Sequence, residues 1–243
     1  MHAACLQLQV NLCQLSENTA IALKMAKLAI DQGAETLVLP ELFQSGFCYS
    51  QPSQEPRFPS LDPFRVLAHE HGCLIIGSLM SGRHNLGFCL EADGIQYQPK
   101  VHPFDQEKEH FEGGDRIAPL PTAFGRVGLE ICYDLRFPEM ARSLALQEAD
   151  FLVTVGQWPT KRLAHWRILC IARAIENQLP HVACNWANAG GSLIIDARGK
   201  VLAEAGEKDE VVIGEIDLKA RDRWRSEIFY LGDRRPEIYR GFS

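Results

Sequence analysis

The amino-acid sequence predicts an α/β protein, and the first forty residues already show the pattern. Residues 3–10 alternate between apolar and polar side chains, as a half-buried strand does. Residues 16–30 carry apolar side chains at helical spacing, with Ser16 as the expected N-cap and Gly33 as the expected stop. Residues 36–40, Thr-Leu-Val-Leu-Pro, form a second apolar strand. A strand, a helix and a strand in succession are typical of α/β proteins.

The same alternation of short strands and amphipathic helices continues along the chain. Asp93-Gly94 predicts a hairpin turn, and Arg198-Gly199 predicts another. The residues beyond Lys219 are charged and lack a clear period, so we expect a solvated tail or a docking segment. The pattern predicts further helices over residues 64–70, 135–146 and 162–176, and further strands over residues 73–77, 85–91, 94–99, 127–131, 151–155, 181–185, 192–196, 201–205 and 211–217.

Composition indicates one globular domain that acts on small molecules. The chain has 243 residues, of which 46% are hydrophobic, and it contains no evident linker. A net charge of −6 with interspersed signs argues against nucleic acid, and no apolar run approaches the length that spans a membrane. Eight cysteines without a C-x-x-C pair, together with no secretory segment, predict reduced thiols and a cytoplasmic protein.

Cys132 is the strongest single candidate for chemistry. It follows the apolar run 127–131, which only Glu130 interrupts, and precedes the predicted helix, where Pro138 fits the first turn. A thiol at a helix start lies near unpaired backbone N–H groups and a positive dipole, which favour the nucleophilic thiolate. The alternative is an inert buried cysteine, which is common in cytosolic proteins.

Two charged residues also stand where predicted strands end. Glu41 directly follows residues 36–40, and Lys100 directly follows residues 94–99. The carboxyl ends of strands form the ligand crevice in open α/β folds, so both side chains are candidates for a site. Taken singly, each is equally well explained as a solvated surface residue.

Three segments in order along the chain point to a family. They are Leu39-Pro-Glu-Leu42, Tyr97-x-x-Lys-Val-His-Pro-Phe104 and Gly128-Leu-Glu-Ile-Cys-Tyr-Asp-Leu-Arg-Phe-Pro-Glu139. Together they resemble the three signature regions of the nitrilase superfamily of carbon–nitrogen hydrolases. The resemblance covers nearly the whole chain and extends to Gln157-Trp-Pro159, residues 165–167 and 172–177, Cys184-Asn185, and the pattern of Gly191-Ser192, Asp196 and Gly199.

The resemblance implies a four-layer α-β-β-α sandwich, in which helices flank two packed sheets, and a Glu-Lys-Cys triad. Glu41 would be the general base, Lys100 the oxyanion stabiliser and Cys132 the nucleophile. The backbone N–H of Tyr133 would join Lys100 in binding the oxyanion. This chemistry requires no metal and no cofactor.

The family often has a second glutamate between the lysine and the cysteine. Counting back from Gly114-Asp115 selects Glu107, whereas counting forward from Lys100 selects Glu109. We prefer Glu107 and expect the other glutamate to be exposed in a charged loop.

The string Cys132-Tyr-Asp-Leu-Arg-Phe-Pro-Glu139 is most similar to the ω-amidase-type branch, whose substrates are small ω-amides of dicarboxylic acids. Arg136 would then bind a substrate carboxylate through a two-pronged ion pair. Trp158 follows the predicted strand 151–155 and is a candidate for a pocket wall, because strand ends face the expected site. Alternatively, Arg136 lies on a helix surface and pairs with Glu139.

Other functions stay open from the sequence. Hydrolysis of an N-carbamoyl compound or a nitrile uses the same residue types, whereas a non-catalytic binding relative would not need the thiol. The resemblance also implies a homodimer or a higher homo-oligomer. We expect residues 218–243 to form a C-terminal tail whose aromatic segment, residues 223–230, contributes to subunit contacts. The alternative is a tail that folds over its own subunit.

Overall fold

The computed structural model describes residues 1–50 and 58–239, and within them twelve strands form two sheets. The strands are His2–Gln7 (β1), Thr36–Val38 (β2), Leu74–Ser81 (β3), His84–Glu91 (β4), Gly94–Pro99 (β5), Leu120–Thr122 (β6), Gly125–Ile131 (β7), Phe151–Val155 (β8), His181–Cys184 (β9), Leu193–Ile195 (β10), Val201–Glu204 (β11) and Glu210–Glu215 (β12). The two sheets have the orders β12-β1-β2-β3-β4-β5 and β11-β10-β9-β8-β7-β6. The central pairs β1/β2, β2/β3, β7/β8 and β8/β9 are parallel, and all other pairs are antiparallel.

The strands place alternate side chains on the two faces of each sheet. In β8, Phe151, Val153 and Val155 pack in the layer between the sheets, where they meet Val38 and Ile76 from the first sheet. Leu152 of the same strand faces outward and packs under a helix. Because side chains alternate along a strand, β8, all of whose residues are buried, is covered on both faces.

Helices cover the outer face of each sheet. Helices Leu15–Asp31 (α1) and Asp62–His71 (α2) pack on the first sheet, and the short helix Glu107–His110 (α3) follows β5. Helices Pro138–Leu146 (α4) and Leu163–Asn177 (α5) pack on the second sheet. This arrangement confirms the predicted α-β-β-α sandwich.

Three local predictions need correction. Helix α1 begins at Leu15 and its N-cap position is Gln14, so Ser16 does not cap it. Residues Cys132–Arg136 form a 3-10 turn, and the α-helix begins only at Pro138. The predicted tail contains helix Leu218–Glu227 (α6) and the short helix Pro236–Tyr239 (α7), and residues 240–243 lie outside the described residues.

Cys13 and Cys48 form a disulfide, so the prediction of eight reduced thiols is wrong for this pair. The backbone N–H of Cys13 donates to the carbonyl of Ser45 at 2.9 Å, which brings the loop before α1 against the loop after β2. A separation of 35 residues in the chain gives no sign of this contact. The other six cysteines are free.

Across the two described ranges, none of the helices combines the length and the apolar character needed to cross a membrane.

Candidate active site

Glu41 and Lys100 form a buried ion pair where strands of the first sheet end. Both side chains are almost completely excluded from solvent, and Lys100 Nζ donates to Glu41 Oε1 at 2.7 Å. Asn85 Nδ2 donates to the same oxygen at 2.8 Å, and the carbonyl of Asn85 accepts from the backbone N–H of Lys100. Sequence reasoning missed Asn85, because an asparagine within a strand carries no sign of its partners.

Cys132 lies at the end of β7 with a backbone φ of +49°. A positive φ is uncommon for a residue with a side chain and is often found at functional sites. Gln157 connects Cys132 with Glu41, because its backbone N–H donates to Glu41 Oε2 at 3.0 Å and its carbonyl accepts from Cys132 Sγ at 3.7 Å. The ends of β7 and β8 therefore bring the thiol to the Glu41–Lys100 pair.

Glu107 completes the cluster, whereas Glu109 does not reach it. Lys100 Nζ contacts both carboxylate oxygens of Glu107, at 2.7 and 3.0 Å, and Glu107 is buried. Glu109 lies two residues further along α3 and is exposed. The side chain of Lys100 is therefore held between two carboxylates.

Asp134 fixes the turn that carries the thiol, and the sequence analysis missed it. The carboxylate is fully buried and accepts from the backbone N–H groups of Ile131 and His102, at 3.0 and 2.8 Å. His102 Nδ1 also lies 2.8 Å from Asp134 Oδ1, and the imidazole stacks on Phe137. These contacts tie the Cys132 turn to the loop that follows Lys100.

The charges of the cluster contradict the expected low-pKa thiol. Cys132 is half-buried, and desolvation raises the pKa of its thiol well above the usual value, with Glu41 raising it further and Lys100 opposing the rise. The short 3-10 turn at Cys132 does not supply the α-helix start on which the thiolate prediction depended. The resting thiol therefore carries its proton and needs a base.

Lys100 and Glu107 each shift the pKa of the other. Burial alone would lower the pKa of Lys100, but the carboxylates of Glu41 and Glu107 outweigh it and raise the pKa. Burial and the charge of Glu41 raise the pKa of Glu107 to about 7, although Lys100 opposes the rise. Lys100 is therefore held as a cation in the cluster.

The cluster opens into a cavity of about 460 Å³. Cys132, Glu107 and Tyr133 line it, and the guanidinium of Arg136 lies 4.5 Å from the centre of the Trp158 ring, also in its wall. No ion pair joins Arg136 to Glu139 in the described part of the chain, so the predicted alternative of a surface pair is absent there. All the site residues selected from the sequence therefore lie in this cavity or in the buried cluster behind it.

A separate buried network lies on β7, two residues before Cys132. Glu130 is fully buried, and its Oε2 lies 3.3 Å from Thr154 Oγ1, which in turn lies 2.8 Å from His181 Nε2. His181 Nδ1 lies 3.0 Å from the carbonyl of Cys170 and must donate to it, because a carbonyl only accepts. This network involves none of the predicted triad residues.

The fold and the site together define a cysteine-dependent hydrolase of the nitrilase type, and comparison with known proteins agrees. A family model described as carbon–nitrogen hydrolase matches residues 2–226. The chain belongs to the carbon–nitrogen hydrolase family and is an enzyme of that class. The expected membership of the nitrilase superfamily is confirmed.

Individual relatives agree with this assignment. The chain is 33% identical to 2-oxoglutaramate amidase of Bacillus subtilis over 258 residues, covering 97% of this chain and 98% of that protein. It is 31% identical to omega-amidase NIT2 of Mus musculus, covering 97% and 95%. A crystal structure of a carbon–nitrogen hydrolase from Helicobacter pylori G27 superimposes with a TM-score of 0.87 at 27% identity, covering 99% of this chain and 97% of that one.

Proposed function

We propose that the protein hydrolyses an ω-amide of a small dicarboxylic or keto acid to the carboxylate and ammonia, through a thioester on Cys132. The observation that carries the proposal is the cavity, in which a thiol next to the buried Glu41–Lys100 pair shares one space with Arg136. The relatives named 2-oxoglutaramate amidase and omega-amidase support the substrate class.

In the first half-reaction, Cys132 attacks the amide carbonyl while its proton passes to Glu41. The raised pKa of the thiol makes this transfer necessary, because little thiolate exists before substrate binds. Lys100 Nζ and the backbone N–H of Tyr133 stabilise the oxyanion of the tetrahedral intermediate. Glu41 then returns the proton to the departing nitrogen, so ammonia leaves and a thioester remains.

In the second half-reaction, water replaces ammonia. Glu41, again ionised, takes a proton from water as the oxygen attacks the thioester carbonyl. The oxyanion occupies the same position beside Lys100. Collapse breaks the C–S bond, the carboxylic acid forms, and Cys132 regains its proton from Glu41.

Arg136 supplies the substrate preference in this proposal. Its guanidinium lies over Trp158 and has no carboxylate partner within residues 1–50 and 58–239. Stacking fixes the planar guanidinium, which can bind a carboxylate with two parallel hydrogen bonds. The distal carboxylate of an ω-amide satisfies this group when substrate enters.

The test is an ammonia-release assay with glutaramate, an uncharged amide of similar length, an N-carbamoyl amino acid and a nitrile. Cys132→Ala serves as the blank. We expect glutaramate to give the highest kcat/KM, and Arg136→Gln to lower that value about tenfold or more while changing the uncharged amide little. Faster turnover of the carbamoyl compound or the nitrile would overturn the substrate class and leave the thioester chemistry intact.

We also propose that the protein acts as a homodimer or a higher homo-oligomer in the cytoplasm, as a single domain with a C-terminal tail. Exposed Phe229 and Ile238 in the tail support a subunit contact. The Arg221–Asp150 ion pair, at 2.6 Å, supports the alternative of a tail that packs on its own subunit. Light scattering on the full chain tests the assembly, and a monomer would contradict it.

A further inference from the structure

The cavity has more positive charge than one substrate carboxylate requires. Arg136, Lys161 and Arg162 all line it. The single acid in the described wall is Glu107, and Lys100 already contacts both of its oxygens. The three outer cations therefore face a space that no carboxylate of the described residues neutralises.

Several arginines elsewhere on the surface are neutralised, in contrast to these cations. Arg83, Arg167 and Arg198 each form an ion pair with a glutamate, at 2.7 to 3.1 Å. No carboxylate in the described parts of the chain lies within ion-pair distance of Arg136 or Arg162. Part of the surface thus pairs its arginines with carboxylates, whereas the cavity brings to one space two arginines that have no such partner among the described residues.

Trp158 contacts the side chain of Arg136 and the backbone of Arg162. Arg136 lies over its ring, and Trp158 Nε1 donates to the carbonyl of Arg162 at 2.8 Å. The guanidinium of Arg162 lies 5.6 Å from the centre of the Phe104 ring, on another wall of the cavity. Residues Thr160–Arg162 form a 3-10 turn immediately before α5, so the backbone that carries Lys161 and Arg162 is regular. Because the guanidinium groups of Arg136 and Arg162 already lie over aromatic rings, they lose less freedom than free side chains when they bind an anion.

The volume also exceeds the needs of a small monoamide. About 460 Å³ lies within the range of pockets that hold drug-sized ligands. We infer that the preferred substrates carry a second acid group beyond the first distal carboxylate, and that Arg162 with Lys161 binds this second group while Arg136 binds the first. This inference rests on the proposed amide hydrolysis and narrows its substrate class to amides with two acid groups.

A matched pair of ligands tests the inference by binding. Glutaramate has one carboxylate, and 3-carboxyglutaramate has the same carbon chain with a second carboxylate. Calorimetry with the Cys132→Ala protein measures both dissociation constants without turnover. We expect 3-carboxyglutaramate to bind at least about tenfold more tightly, since hydrogen bonds to charged groups are the strong ones. Equal affinity, or tighter binding of glutaramate, would overturn the inference.

Variants assign the preference to particular cations. In the Cys132→Ala background, Arg162→Gln should weaken the binding of 3-carboxyglutaramate about tenfold and the binding of glutaramate less than about threefold. Lys161→Gln should have a smaller effect in the same direction, because its side chain is exposed. Arg167, five residues further on, is paired with Glu204, so Arg167→Gln is the control and should leave both dissociation constants unchanged. An equal loss on both ligands for Arg162→Gln would contradict its assignment.

Ammonia release from the wild-type enzyme separates this inference from the proposed function. Turnover of both amides with a higher kcat/KM for 3-carboxyglutaramate supports both. Turnover of glutaramate with no advantage for the second carboxylate overturns the inference alone. A binding preference without ammonia from either amide supports the two-anion cavity and contradicts the proposed hydrolysis.

Discussion

Two buried glutamates have opposite surroundings: Glu41, which lies near Cys132 in space, and Glu130, which precedes Cys132 by two residues in the chain. Glu41 accepts from Lys100, Asn85 and the backbone of Gln157, so both of its oxygens are satisfied by donors. Glu130 has Thr154 as its hydrogen-bond partner through one oxygen, and its other oxygen has none among the described residues. One carboxyl group is built to be charged, and the other is not.

The placement of the hydrogen atoms in the network of Glu130, Thr154 and His181 decides whether Glu130 is charged. Burial lowers the pKa of His181 to about 4, so its imidazole is neutral and Nε2 is an acceptor. The hydroxyl of Thr154 has one hydrogen, and the shorter contact assigns it to His181. Glu130 must therefore donate a proton of its own to Thr154 Oγ1. Burial, which raises the pKa of Glu130 to about 8, agrees with this assignment.

The comparison shows that burial alone does not make an acid catalytic. A buried carboxylate needs either a counter-charge or a proton. Lys100 supplies the counter-charge for Glu41 and leaves it able to accept a proton from Cys132. Glu130 forms no ion pair in the described part of the chain, and burial raises the pKa of its carboxyl to about 8 although the charge of Arg173 opposes the rise. A carboxyl group that keeps its proton at neutral pH cannot act as a base.

The largest fall in kcat should follow from removing Lys100, the counter-charge, or Glu41, the proposed base. Lys100→Met and Glu41→Gln should each lower kcat by at least about a hundredfold, the order typical for an oxyanion donor or a general base. Lys108→Met, at an exposed lysine of α3, is the control and should retain normal turnover. Circular dichroism checks folding, and near-normal turnover in either site variant would contradict its assigned role.

A smaller effect should distinguish Glu107 from Glu109. Glu107→Gln can still accept a hydrogen bond from Lys100 but no longer supplies a charge, so kcat should fall about tenfold or more with little change in KM. Glu109→Gln should leave both constants unchanged, because Glu109 is exposed. The opposite ranking of the two variants would reverse the choice of second glutamate.

The sequence predicted most of the fold because its strands follow simple periodic patterns. The strand bounds at Gly94–Pro99 and Phe151–Val155 are confirmed to the residue. Helix α6 was missed because it has no apolar face. A capping residue and an ion pair, neither of which produces a periodic pattern, stabilise it instead. Asp217 caps its start through the N–H groups of Lys219 and Ala220, and Arg221 pairs with Asp150.

The residues that the structure brings together in the candidate site were predictable from the sequence, whereas their electrostatics were not. Strand ends and the family resemblance selected Glu41, Lys100 and Cys132, but the support from Asn85 and Asp134 depends on contacts between distant segments. The thiolate prediction was wrong because it assumed an α-helix start at Cys132 and omitted desolvation. Charge states depend on what surrounds a group in space, which a single sequence does not contain.

The protonated state of Glu130 can be tested through stability. The folded-state pKa of Glu130, about 8, lies above the unfolded value of 4.5, so the native state binds more protons between these values. Wild-type stability should therefore fall, relative to Glu130→Gln, as pH rises from about 4.5 through about 8, by on the order of a few kcal/mol. Urea unfolding at several pH values measures the difference, and a constant difference would mean that Glu130 is ionised.

The smallest effect should come from the hydroxyl that joins the two groups. Thr154→Val keeps the shape but leaves His181 Nε2 without a donor and Glu130 without an acceptor, which should cost about 1–3 kcal/mol of unfolding free energy. Thr160→Val, at an exposed threonine, should cost much less. Because Glu130 and Thr154 share one hydrogen bond, the double variant with Glu130→Gln should be less destabilised than the sum of the single changes. If the two losses of unfolding free energy are strictly additive, the Thr154 hydroxyl does not share a hydrogen bond with Glu130. The proton assigned to Glu130 would then have no acceptor.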